Sequence, residues 1–496
     1  MSEPPRQDPA RSAEPNNPKY RFARVARGAW FGLWAQAVDK LLPVVLILYL
    51  ARTLDAETFG VYAFVLAYLA FFQALSDYSI DTVLVRSMSQ DDAAKANVLR
   101  AGLGLKLAAG MASAATAVVL VGPVSGWQVP VHLMALAALS LPTALGGAYR
   151  AYLRSTLEIR SVFLIAAGRG SMLAAAIIAI VAGGAGLHEI FTAMAAVNLA
   201  TFASVAMLLR RRVRPGMSLD REIWVRLLRG GLPLFVNALA MTLSLRIGHV
   251  LLMSMRGPVE VGLLGAAARV SEAFSIVPEA LMITVYPLMA GLYGRQSAAL
   301  MRTAERSTRY LVLVTGIPVT VCAVAAGPIM SLLFGAPFAP AGALLGTLAF
   351  TALLSATGTV ILNLLIASHR ETALYRNTVV FAVINVFASA LLIHRLGDLG
   401  AAIALLATSA GSQIALALLP ATRDYVRPLL VAAARVVVAV GAAVVAGRAS
   451  GLGPVGGSGV ALVVYAVALV VLGVLNRDEI RFVRSAIGSA LGPTGA

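Results

Sequence analysis

Cysteine is almost missing from this chain. The single residue, Cys322, lies in an apolar run, which excludes an intramolecular disulfide and a cysteine-rich metal site. Histidine is nearly as sparse, and its five scattered residues form no HExxH or comparable cluster, so no metal and no other cofactor is expected. The phosphate-loop pattern GxxxxGK[ST] is absent, which argues against direct nucleotide hydrolysis. No other enzyme signature stands out, and the chain is read as a non-enzyme. Charge is scarce as well, at 13% of residues against roughly a quarter in soluble domains. It is also one-sided, with 40 Lys and Arg against 23 Asp and Glu and a formal net charge of +17.

What fills the sequence instead is apolar matter, 59% of its 496 residues, gathered into windows of about twenty, the length that spans hydrocarbon. The windows fall at about 29–51, 59–82, 101–121, 130–149, 162–183, 189–209, 231–255, 261–292, 308–333, 341–367, 373–394, 398–420, 428–449 and 457–475. That pattern predicts an all-α polytopic membrane protein of about 14 transmembrane helices. The basic residues sit between the windows and form no single patch, so topology explains the charge better than nucleic acid does. With a cytoplasmic N-terminus most of them fall inside, and only Arg52, Arg256, Arg395 and Arg448 fall in outer segments. Both termini are therefore expected in the cytoplasm. Residues 1–28 read as a disordered cytoplasmic tail without a cleavable signal peptide, and 477–496 as a second cytoplasmic tail.

The longest polar break, Arg210 to Arg229, carries seven arginines and separates six windows from eight. It reads as a topology-fixing linker, lying on anionic headgroups as a short amphipathic helix. An echo crosses it: Glu57 and Gly60 after the first window correspond to Glu260 and Gly262 after the seventh, with one residue of slippage. Both pairs run in the same direction, which describes a repeat about an axis along the membrane normal. The organisation expected is an N-lobe of helices 1–6 over 29–209 and a basic cytoplasmic linker over 210–230. A C-lobe of helices 7–12 over 231–421 and accessory helices 13–14 over 422–476 follow. The two six-helix lobes are related by a pseudo-two-fold axis.

Ionisable residues inside the windows carry the functional argument, because a charge at the centre of a membrane helix costs roughly 2.5–3.5 kcal/mol on insertion scales. The seventh and eighth windows hold Arg246, His249, Arg269, Glu272 and Glu279. Arg269, Glu272, Ile276 and Glu279 follow an i, i+3, i+7, i+10 series, which puts both carboxylates and the guanidinium on one side of helix 8. Such groups face protein, water or substrate, and the reading is a transporter with a polar central cavity. Lys106, Arg169 and Arg435 fall within about two turns of the inner surface and are read as snorkelling to the headgroups. Asp77 and Asp81 lie one turn apart with Arg86 just beyond, either a gate or ion-coupling site or a helix-end ion pair. Pro233, Pro278 and Pro287 are candidate flex points, or static kinks. Asn237, Asn363 and Asn385 are candidate interhelical donors.

The run KLLPVVLILYLARTLDAETFGVYAFVLAYLAFFQALSDYSIDTVLVR resembles the opening of the polysaccharide exporters that flip O-antigen and related lipid-linked oligosaccharides. These share a superfamily with the multidrug and toxin extrusion proteins and the lipid II flippase. GLPLFVNALAMTLSLRIGHVLLMSMRGPVEVGLLGAAARVSE and NVFASALLIHRLGDLGAAIA extend the resemblance over about residues 25–420. It implies a two-lobed bundle with a central, usually cationic cavity that opens alternately to each side. The substrate implied is a polyprenyl-pyrophosphate-linked oligosaccharide, of O-antigen, capsule or exopolysaccharide, crossing the bacterial inner membrane. A polymerase and other assembly proteins are the implied partners besides membrane lipids. Many members carry an Asp after the Arg-Ile of helix 7, where this chain has Gly248 and His249.

For such a substrate, cations facing the cavity offset phosphate desolvation. Lys40 and Arg246 are the deepest candidates, occupying corresponding helices of the two lobes, with structural ion pairing as the alternative: Glu272 or Glu279 could neutralise Arg246. Arg269 is a further candidate, or a local partner of Glu272. His249, Asp77, Asp81, Glu272 and Glu279 are the candidates for gating or ion coupling. The rival on the same scaffold is an ion-coupled multidrug or organic cation exporter with an anionic cavity. A ligase or polymerase would need a long outer loop, and the longest here is only about ten residues.

Overall fold

A computed structural model of the chain describes residues 42–90, 95–156, 158–210 and 216–474. Every described element is helical. In order they are α1 (Leu42–Thr53), α2 (Ala56–Asp77), α3 (Ile80–Gln90), α4 (Lys95–Ser125), α5 (Val131–Ala138), α6 (Ser140–Thr143), α7 (Gly146–Ser155), α8 (Ile159–Ala182) and α9 (Leu187–Leu209). After the basic linker come α10 (Arg221–Arg256), α11 (Pro258–Ala273), α12 (Ile276–Leu292), α13 (Ser297–Val324) and α14 (Ala326–Phe334). A 3-10 turn (Ala336–Ala341) then leads into α15 (Gly342–Ala367), α16 (Glu371–Leu396), α17 (Asp398–Leu418), α18 (Arg423–Ala449) and α19 (Gly453–Val471).

Joined across their short breaks, these form 13 helices long and apolar enough to cross a membrane, and α1 is the described part of a fourteenth apolar window. The chain is a multi-pass membrane protein. Successive spans alternate between a face carrying the basic linker, here the linker face, and the far face.

Four windows expected as single helices are broken. Three breaks have a proline four residues downstream of the freed carbonyl: Pro142 after Ala138, Pro278 after Phe274 and Pro328 after Val324. Proline has no N–H to return to that carbonyl and its ring clashes with it. Two further breaks, at Ala144 and Leu145 between α6 and α7 and between α2 and α3, have no such cause. Tyr78 (φ 40°) and Ser79 (φ 53°) take left-handed conformations between α2 and α3, a geometry disfavoured for any L side chain. Pro233 and Pro287 lie inside continuous helices.

The linker also departs from expectation. Residues from Arg221 onward are the first turns of α10, a 36-residue helix about 54 Å long, and form no separate amphipathic helix. Ser218 donates its N–H to the Arg100 carbonyl and Trp224 Nε1 donates to the Ala101 carbonyl at 2.9 Å, tying this segment to α4. Aspartate at the N-cap explains where α10 starts: Asp220 accepts from the N–H groups of Glu222 and Ile223.

The chain before the linker meets the chain after it at both faces. On the far side α2 crosses α11 at Gly60 and Gly262, the two glycines of the sequence echo. A β-carbon on Gly60 would stand 1.8 Å from the Pro258 carbonyl oxygen, and one on Gly262 would stand 2.8 Å from that of Ala56. On the linker side the Tyr78 ring stacks on Phe235 with centroids 4.1 Å apart. Between these contacts runs a buried aromatic ladder on α2, Phe64, Tyr68 and Phe72, with Tyr68 Oη donating to the Ala117 carbonyl.

Three far-face arginines have a common use. Arg52 donates to the carbonyls of Leu332 and Leu333, Arg256 to that of His394 at 3.0 Å, and Arg448 to that of Ala323 at 2.7 Å. Each acceptor lies in the last turn of another helix, where carbonyls have no helical partner and the dipole is negative.

Candidate functional site

Arg246 on α10 and Arg269 on α11 are brought together by one carboxylate. Arg246 Nη1 lies 2.9 Å from Glu272 Oε1, and Arg269 Nη1 lies 3.1 Å from Glu272 Oε2. Two cations on one anion leave the trio with a surplus positive charge. The guanidiniums face a narrow crevice, lined also by Phe59 and Tyr62 of α2, at the seam between the chain before and after the linker. Sequence spacing named the Glu272 pairing as an alternative for both arginines, and the structure has it in both cases.

The break after Ala273 changes the picture drawn for helix 8. Glu272 ends one helix and Glu279 begins the next, and both carboxylates line a cavity of about 580 Å³ among α10, α11, α12, α15, α16 and α17. Neither Arg246 nor Arg269 lines it, so one continuous face carrying all three charges is not what forms. Its walls are mainly apolar rather than the polar cavity expected, with Leu245, Met282 and Leu348 among them, and hydroxyls and amides such as Ser244, Ser275, Thr351 and Asn363 are set between. His249 lies between cavity and crevice, lining both. Its ring is buried, and Nδ1 has no hydrogen-bond partner among the described residues.

Asn385 braces the cavity floor. It is 1% exposed, donates Nδ2 to the Ser244 carbonyl at 2.8 Å, and accepts from Thr408 Oγ1 at 3.1 Å. It is the one of the three nominated asparagines with an interhelical bond shown: Asn363 donates to Thr359 within its own helix, and Asn237 contacts Met241 within its own. Asn377, which no sequence argument singled out, bridges to Ser412 Oγ at 2.8 Å.

Lys40 lies outside the described residues. Asp77 and Asp81 are placed away from the Arg246 site, and their partner is one the sequence did not suggest. Lys106 of α4, read as snorkelling, is 3% exposed and lies 2.9 Å from Asp77 Oδ1 and 2.7 Å from Asp81 Oδ1. Two carboxylates within reach hold the ammonium inside more strongly than a distant headgroup could draw it out. Arg169 is half-buried with Nη1 3.5 Å from Asn198 Oδ1, and Arg435 is exposed on α18 as snorkelling requires. No group of three or more His, Cys, Asp or Glu able to hold a metal occurs among the described residues.

The far-face end of α2 is set by Asp55, whose Oδ1 accepts from Thr58 Oγ1 at 2.7 Å and whose Oδ2 accepts from the N–H groups of Glu57 and Thr58. These donors, the Thr58 hydroxyl foremost, hold its carboxyl below the usual aspartate range.

Known proteins share both the sequence pattern and the arrangement. A family model described as polysaccharide biosynthesis protein matches residues 25–292, more than half of the chain. No curated protein matches. A solved structure of the lipid II flippase MurJ in an inward closed conformation superposes with a TM-score of 0.67 at 9% identity, covering 88% of this chain and 97% of that one. An inward-facing multidrug resistance MATE transporter of the MOP superfamily superposes with a TM-score of 0.61 at 17% identity, covering 79% and 95%. A eukaryotic MATE transporter gives 0.60 at 13% identity, covering 84% and 99%. The chain thus belongs to the polysaccharide biosynthesis protein family, on the helical fold shared by MurJ and the MATE transporters.

Proposed function

We propose that this protein is a flippase that carries a polyprenyl-pyrophosphate-linked oligosaccharide from the cytoplasmic to the outer leaflet of the bacterial inner membrane, by alternating access. The observation that carries the reading is the Arg246–Glu272–Arg269 trio, a net positive group at the seam between lobes, beside a mainly apolar cavity with hydroxyls and amides set among its walls. A pyrophosphate displaces Glu272 from the guanidiniums, whose planar forks match phosphate oxygens. The exchange keeps each cation paired, and the displaced Glu272 carboxylate turns into the cavity it lines, where its side chain is partly exposed and water takes the place of the guanidiniums. The hydroxyl and amide lining then exchange hydrogen bonds with the glycan as water is removed. Lys40 supplies a third cation, this one from the N-lobe, both termini are cytoplasmic, and a polymerase takes the product on the outer side. Residues 29–209 and 231–421 act as the two moving lobes, with 422–476 as accessory helices.

The test is inner-leaflet accumulation of lipid-linked glycan in cells carrying Arg246→Ala, with Arg210→Ala as surface comparison. The reading expects the deep variant to trap the intermediate while reaching the membrane in parental amount, and the surface variant to be silent. Normal export by Arg246→Ala would refute it. One observation favours the rival cation exporter: Glu272 and Glu279 both line the cavity. On that reading Glu279→Gln abolishes efflux of an organic cation dye and leaves glycan export unchanged.

A further inference from the structure

We infer that Lys106 is a positioning residue for the transport cycle: it holds the left-handed break between α2 and α3, and through it the linker-face seal. This rests on the alternating-access part of the proposed function and not on its substrate.

The break has no glycine or proline to favour it, so something outside the backbone must hold Tyr78 and Ser79 at positive φ. Lys106 is placed to do so. Asp77 precedes the break and Asp81 follows it, and the one ammonium joins both, at 2.9 and 2.7 Å. Gln73 Nε2 steadies Asp77 from the preceding turn at 3.1 Å. Space confirms the fit: a β-carbon on Gly147 of α7 would stand 2.4 Å from Asp81 Oδ2 and 2.7 Å from Lys106 Nζ. The clamp occupies space that a side chain at Gly147 would need.

What the break presents is the contact between lobes. Held at φ 40°, Tyr78 turns its ring onto Phe235 of α10, nearly parallel at 18°. Its carbonyl oxygen lies where a β-carbon on Gly231 would approach to 2.9 Å. Both partners belong to the chain after the linker, so α10 reads the geometry of the break directly. Lys106 touches neither of them and acts only through the conformation it enforces.

The test uses a pair of spin labels on the full-length protein in nanodiscs without substrate, at Ser89→Cys on α3 and Ser297→Cys at the start of α13, both exposed near the linker face and on opposite sides of the seal, with Cys322→Ala as background. Electron double resonance reads the distance between them. Lys106→Met is expected to add a second, longer population, and Tyr78→Ala, with the clamp intact, to give the same one. A folded Lys106→Met protein with the parental distance overturns the inference, even if its melting temperature falls, since that is all a purely structural ion pair would do. If Lys106→Met does not accumulate, Asp77→Asn and Asp81→Asn, each keeping one bridge, replace it. Each is expected to show a smaller fraction of the longer population, and parental distances in both overturn it. No substrate enters the measurement, so failure of the flippase assay leaves this result standing.

Discussion

Replacing Gly60 by alanine tests the far-face contact between α2 and α11. The added β-carbon would begin 1.8 Å from the Pro258 oxygen, and such atoms do not approach closer than about 3.0 Å, so the helices must separate by at least 1.2 Å there. Local escape is blocked on the other side, because Gly262 lies against Ala56 and Gly60 in turn. Overpacking of this kind costs about 1–3 kcal/mol. The cost falls only on the arrangement in which the two helices touch, so an alternating-access equilibrium shifts towards far-face opening by roughly 5- to 140-fold, at tenfold per 1.4 kcal/mol. Gly262→Ala, whose β-carbon needs to move only 0.2 Å to reach the same limit from 2.8 Å, should shift it much less. Spin labels at Glu57→Cys and His394→Cys, exposed at the far face, report the opening in a Cys322→Ala background. A folded Gly60→Ala protein with the parental distance distribution, or one shifted no more than Gly262→Ala, would refute the reasoning.

Three further outcomes follow from particular contacts. Glu272→Gln removes the anion between Arg246 and Arg269 and should destabilise the protein by about 1–3 kcal/mol, seen as a lower thermal midpoint, with Arg269→Gln partly restoring it in the double variant. Asn385→Ala leaves the Ser244 carbonyl and Thr408 hydroxyl without their partner and should cost about 1–3 kcal/mol, whereas Asn237→Ala should be nearly neutral in the same melt. Asp55→Ala removes a helix cap worth about 1 kcal/mol at neutral pH. Because the folded carboxyl titrates below its unfolded value of about 3.9, the cap's contribution is complete above that pH and disappears as pH falls through the lower folded value. Parent and variant should therefore converge in stability in strong acid, and a constant gap would contradict the assignment.

The spans were legible because hydropathy over twenty residues depends on no tertiary partner. Breaks at Pro142, Pro278 and Pro328 were legible in principle, since the clash with the carbonyl four residues back is local, although hydropathy does not register it. The break at Tyr78 was hidden: no glycine or proline marks it, and its cause lies at Lys106, 25 residues beyond Asp81. Lys106 does not snorkel, because distance from a membrane surface predicts that only when no counter-charge waits inside. The glycine echo at Gly60 and Gly262 marked corresponding positions, yet their mutual contact depends on how the lobes face one another, which periodicity does not encode. For Arg246 the spacing offered the right partner without choosing it, because Glu272 and Glu279 become distinct only once the chain turns at Phe274.

The far-face arginines carry a consequence for biogenesis. Arg52 finds its acceptors at Leu332 and Leu333, about 280 residues later in the chain. At a synthesis rate of roughly 5–20 residues per second, that guanidinium waits some 14–56 s before the carbonyls it will bind have been made. Arg448 has the opposite experience, since Ala323 has been synthesised 125 residues earlier. The first strap stays open through most of translation and the last closes on emergence, so a ribosome stalled before residue 333 leaves α1 inserted but unfastened, and a chaperone that holds early spans has a defined interval in which to act.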